Sequence, residues 1–140
     1  MKKFLFIICL ILVSVISLFA NVSAEEVLSV KVEADSIVAT VAIPEGMHLT
    51  IQKDYFYLDV DPIEGVTFEE TIYPQGEPDK DGYINLHGTV YLTKKFTIAD
   101  GMDKNKIVFK IYAGFQLCFD SYCEPPVDAE YTLPLIPKKK

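Results

Sequence analysis

Apolar and polar residues alternate in short runs along most of this chain, and the runs predict strands. Val27 to Val32 and Ile37 to Ile43 are rich in β-branched residues and partly alternate. Pro44-Glu45-Gly46 breaks the second run. Tyr55 to Val60 predicts a third strand, ended by Asp61-Pro62, and Val66 to Phe68 a fourth that fades towards Tyr73-Pro74-Gln75-Gly76. The polar stretch from Gly76 to Gly82 reads as a surface loop. Strands are then expected at Gly88 to Leu92 and Lys95 to Ile98, with a turn from Ala99 to Asn105. Ile107 to Ala113 alternates cleanly and predicts a central strand; Ala129 to Leu135 closes the chain. About eight short strands at this spacing predict an all-β, immunoglobulin-like antiparallel β-sandwich. No segment carries a helical apolar stripe, and there are no internal repeats or domain linkers.

The first residues break that pattern. Lys2 and Lys3 precede an almost continuously apolar run from Phe4 to Ala20, and Val22-Ser23-Ala24 offers small residues for a signal peptidase. This predicts a secretory signal peptide over residues 1–24 and a single mature domain over 25–140. The run also approaches the length of a membrane span, so a retained anchor is the alternative. Cys9 falls inside the run and goes with it.

Charge narrows the partners. Without Lys2 and Lys3 the chain keeps 11 basic and 20 acidic residues, and it has no arginine. A net charge of about −9 disfavours nucleic acid, which needs a basic face. Lys138 to Lys140 read as a solvated end.

Two cysteines remain in the mature chain, Cys118 and Cys123. An exported chain meets an oxidising environment, where two nearby thiols form a bridge unless something reduces them. A tight turn at Asp120 and Ser121 would set them opposite each other on a β-hairpin. Pro125 and Pro126 follow and cannot extend a ladder. Two readings stay open on spacing alone. As a staple, so short a ring stabilises by roughly 2 kcal/mol in the loop-entropy model. As a redox pair, it must be accessible and reducible. Asp120 and Glu124 flank the thiols and disfavour a thiolate, which suits a selective carrier over a general oxidase.

The segment from Gly114 to Pro126, Gly-Phe-Gln-Leu-Cys-Phe-Asp-Ser-Tyr-Cys-Glu-Pro-Pro, resembles the N-terminal periplasmic domain of the thiol:disulfide interchange protein DsbD and its stand-alone homologues. The resemblance covers most of residues 27–135, and the cysteine/double-proline segment is its specific motif. It implies a sandwich with an inserted cysteine hairpin and periplasmic thiol–disulfide exchange. The implied electron donor is a thioredoxin-like domain of a membrane electron transporter, and the implied acceptor a disulfide isomerase or cytochrome-maturation protein. Cys123 would form the mixed disulfide with partners and Cys118 would resolve it. A cap loop over the pair would match Asp79 to Asn85, with Asp81 in it and Tyr83 or Ile84 as its lid residue. Phe119, Asp120 and Tyr122 flank the hairpin tip as partner-facing candidates. The chain departs from the family where tyrosines often follow the Pro-x-Gly turn; here Met47-His48-Leu49-Thr50 stand.

Other constellations are weaker. Glu77 to Ile84 mimics part of a calcium loop, but its closing glutamate would fall at Gly88. His48 and His87 read as isolated, without a second ligand at metal spacing. Neither a cofactor nor a small-molecule substrate is expected. The rival function is an exported immunoglobulin-like binding or scaffold domain whose hairpin bridge is purely structural.

Overall fold

The computed structural model describes residues 23–137. The signal peptide expected over 1–24 lies outside the described residues except for Ser23 and Ala24, and so does the terminal lysine run. Among the described residues, no helix is long and apolar enough to cross a membrane.

Among the described residues, nine strands follow one helical turn, α1, over Ala24–Val27. The expected first strand begins one residue late, at Leu28, because Val27 closes that turn. One sheet holds β1 (Leu28–Val32), β2 (Ser36–Ala42), β7 (Thr89–Ile98) and β5 (Val66–Phe68), in that order. The other holds β4 (Tyr57–Val60), β8 (Val108–Phe115) and β9 (Val127–Pro134), with β8 central as its alternation predicts. Every pairing is antiparallel. This is the immunoglobulin-like sandwich that the pattern predicts.

Alternation fixes which face each strand buries. Opposed residues on neighbouring strands share a face. Ala39 opposes Leu92 and Val41 opposes Val90, and all four are buried. In the other sheet Phe109, Ile111, Ala113 and Phe115 point inward from β8. Phe96 and Phe109 meet across the sheets with ring centroids 4.9 Å apart, and Phe68 packs edge-on against both.

Two expected strands, Gly88 to Leu92 and Lys95 to Ile98, are one continuous strand, β7. The sequence breaks at Lys94, which takes an inward position opposite the buried Ile37. Lys94 is only partly exposed, and its ammonium reaches the Thr71 hydroxyl at 3.0 Å, so the inward position is satisfied and the ladder continues.

Gly114 is the one position in β8 where a side chain has no room. It lies between Tyr57 on β4 and Asp128 on β9. The Tyr57 ring crosses over it, and its hydroxyl donates to Asp128 Oδ1 at 2.6 Å. A Cβ at 114 would collide with that ring. Burial pushes the Tyr57 phenol up to about 12, and the hydrogen bond and negative charge of Asp128 add to it. The ordinary phenol value is 10.0. Between these two values the unfolded chain releases the proton and the folded chain keeps it, so stability falls as pH rises through that window. In urea titrations across that range, Tyr57→Phe is expected to remove this part of the alkaline loss.

Candidate functional site

The cysteines sit in an excursion between two neighbouring strands. β8 ends at Phe115 and β9 starts at Val127, and these two residues pair. Between them the chain forms a hairpin. Glu124 N–H donates to Leu117 O at 2.8 Å and Phe119 N–H donates to Tyr122 O at 2.7 Å. Cys118 and Cys123 form the bridge between these two pairs. They are therefore a non-hydrogen-bonded pair, the antiparallel site where opposed side chains come closest. Their Cα atoms are 3.9 Å apart, closer than directly opposed residues usually lie, and the sulfurs are joined as a disulfide. Asp120 and Ser121 form the tip, as the turn chemistry predicts.

Leu117 anchors the hairpin from below and is buried. Gln116 adds a side-chain bond from Nε2 to Glu124 O at 3.0 Å. At the tip the Phe119 and Tyr122 rings pack together, with centroids 4.9 Å apart. Phe119 is half-buried against the core, whereas Asp120 and Tyr122 are exposed. Phe119 therefore holds the hairpin down, and Tyr122 faces outward.

The two sulfurs have unequal surroundings. Cys118 is 6% exposed, and Cys123 is exposed. The difference comes from the strand on the far side of Cys118. His48 N–H donates to Cys118 O at 2.9 Å, and Cys118 N–H donates to His48 O at 2.8 Å. Cys118 thus lies between two neighbouring segments, while Cys123 is at an edge with proline close on its C-terminal side.

His48 is delivered there by a turn. Met47 N–H donates to Pro44 O at 3.2 Å, with Gly46 at φ +81°. That is the position where a type II turn needs a left-handed residue, so glycine fits it. The chain then runs through β3 (Leu49–Thr50), which pairs with β6 (Asn85–Leu86).

The cap-loop stretch leads directly into β6. Asp79 organises it: Asp79 Oδ1 accepts from the backbone of Asp81 and Tyr83 at 2.8 and 3.0 Å, and Oδ2 accepts from Asn85 Nδ2 at 3.1 Å. These bonds, that from Tyr83 foremost, hold the Asp79 carboxyl below its ordinary value. The carboxylate is engaged by its own loop, which fits a solvated turn. Within the loop Asp81 and Tyr83 are exposed, and Ile84 packs against the core. Tyr83, Asp79 and Asn85 form one wall of a groove whose other wall is His48, Thr50 and Gln52. The loop therefore borders the segment that pairs with Cys118.

The position of His48 was not legible in the sequence, where it reads as an isolated histidine. The structure sets its ring 6.0 Å from that of His87, centroid to centroid, and its backbone against Cys118. Among the described residues, no cluster of three or more His, Cys, Asp or Glu side chains could hold a metal ion.

The sequence matches no family model and no curated protein. Solved structures do match. The N-terminal domain of DsbD from Neisseria meningitidis, in its reduced form, superposes with a TM-score of 0.59 at 19% identity, over 81% of this chain and 89% of that one. The same domain in complex with the PilB N-terminal domain, also from Neisseria meningitidis, gives 0.58 at 18% identity, over 81% of this chain and 87% of that one. In fold, this chain is similar to the DsbD N-terminal domain, and it carries a disulfide-bonded cysteine pair on the hairpin before its last strand.

Proposed function

We propose that this protein is an extracytoplasmic thiol–disulfide exchange module that cycles between a Cys118–Cys123 disulfide and a dithiol. The observation that carries this is the unequal burial of the two sulfurs. Exchange proceeds by attack of a thiolate on a disulfide sulfur, so one sulfur must meet a partner while the other waits. Cys123 is open to a partner and Cys118 is held behind it. In the reducing direction, the Cys123 thiolate attacks a partner disulfide and forms a mixed disulfide. Cys118 then attacks Cys123, the partner leaves with both its sulfurs as thiols, and the ring closes.

The proposed donor is a thioredoxin-like domain of a membrane electron transporter, and the proposed acceptor a disulfide isomerase or cytochrome-maturation protein. The likeness to a domain solved with the PilB N-terminal domain supports a protein partner of this kind. Residues 1–24 serve as the export signal, and residues 25–140 make up the mature domain. Tyr122 and Asp120 on the hairpin are the proposed partner contacts, and Asp81, Tyr83 and Ile84 belong to the proposed cap loop.

A trapping experiment tests this reading. Cys118→Ala, reduced and mixed with an oxidised thioredoxin-like protein, is expected to accumulate a mixed disulfide through Cys123 that dithiothreitol releases. Recovery of free monomer alone contradicts it.

A further inference from the structure

Cys118 is buried, so its thiol needs a nearby group to take its proton when it attacks. The fold sets one beside it. His48 and Cys118 exchange both backbone hydrogen bonds, at 2.9 and 2.8 Å. Residues in such a pair lie about 5.5 Å apart at Cα and project their side chains to the same face. The His48 imidazole and the Cys118 sulfur therefore share a face. His48 is half-buried at the wall of the groove under the cap loop.

Hydrogen bonds in and beside the groove leave this ring free. Thr50 donates to Asn85 Oδ1 at 2.6 Å, Asn85 to Asp79 Oδ2 at 3.1 Å, and the His87 ring bonds Met47 O at 3.2 Å. Among the described residues none of them engages His48. The titratable groups around it are Asp79 and Tyr83 across the groove and His87 from the turn before β7, while Asp120 and Glu124 are the acidic residues of the hairpin that carries Cys118. The acidic ones oppose a thiolate.

We infer that His48 accepts the Cys118 proton as the mixed disulfide resolves, and so sets the rate of partner release. The inference rests on the exchange reading above. The proton passes from the Cys118 thiol to the imidazole, and the Cys118 thiolate attacks the Cys123 sulfur. The Cys118–Cys123 bond forms as the bond from Cys123 to the partner breaks. The partner departs as a thiolate and takes up a proton from the imidazolium or from water. The Cys118–Cys123 pair is oxidised by two electrons and the partner disulfide is reduced by two.

A rapid-mixing experiment separates the steps. The reduced protein is mixed with an aromatic disulfide, dithiobis-nitrobenzoate, which releases a coloured thiolate twice. The first release follows attack by Cys123, and the second follows ring closure by Cys118. A free thiol with a pKa of about 8.5 is only a few per cent thiolate at pH 7. Without the imidazole, His48→Gln is therefore expected to slow the second phase about tenfold at pH 7. That rate should then climb with pH up to about 8.5, while the first phase is unchanged. His48→Tyr, which fills the groove with a ring that stays neutral near pH 7, should match it. Added imidazole should restore the second phase in His48→Ala, which a purely structural role does not predict. A second phase at the wild-type rate and with the wild-type pH profile in His48→Gln overturns the inference. A wild-type protein that stops after one release fails at ring closure, and then the exchange reading itself is wrong.

Discussion

Cys123→Ser is expected to abolish exchange with protein partners, whereas Cys118→Ser is expected to attack once and then stay attached. The asymmetry follows from burial. Attack requires a sulfur to approach a partner disulfide directly. Cys123 can do this from the hairpin edge; Cys118 is covered by the His48 strand and by the hairpin itself. Cys118 reaches outside reagents only when this segment opens, and each 1.4 kcal/mol of opening costs about a factor of ten in rate. In the reduced protein, iodoacetamide is therefore expected to modify Cys123 at least about tenfold faster than Cys118, as read by peptide mass mapping. Equal rates would remove the basis for giving the sulfurs different roles. A purely structural bridge predicts neither the trapped adduct nor its dependence on Cys123.

The largest loss of stability is expected at Phe109. This ring is fully buried and meets Phe96 and Phe68 from the facing sheet. Phe109→Ala removes its buried surface and leaves a cavity between two sheets that cannot both move in. Such changes cost about 3–5 kcal/mol. The aromatic pairs add to that cost, each by about 0.5–1.5 kcal/mol beyond area. For a domain of this size the loss corresponds to a fall in Tm of roughly 15–30 °C. Phe109→Leu keeps most of the apolar volume and should cost only about 1–2 kcal/mol. Urea denaturation of both variants with the disulfide intact checks the difference. Phe109 lies on β8, the strand that runs on into the cysteine hairpin, so the same core that holds the sheets together sets the hairpin's angle.

What the sequence reveals here is what local pattern can encode. Alternation at Ile107 to Ala113 and turn chemistry at Asp120-Ser121 are local, and β8 and the hairpin follow from them. β3 and β6 escape because each is two residues long and exists only through its pairing with the other. Lys94 misleads because an inward lysine breaks the period, while its bond to Thr71 lets the strand run on. The pairing of His48 with Cys118 joins residues 70 positions apart. Only the topology brings them together, so neither histidine spacing nor cysteine spacing could announce it. The unequal burial of the two sulfurs is equally non-local, since the strand that covers Cys118 comes from the other half of the chain.

An exchangeable Cys118–Cys123 bridge is distinguished from a staple by its reduction potential. Equilibrating the purified chain in dithiothreitol and glutathione redox buffers, then counting free thiols, gives the value. A potential above about −300 mV, within reach of protein thiol donors, is expected. A value well below that would mark a structural staple and contradict it.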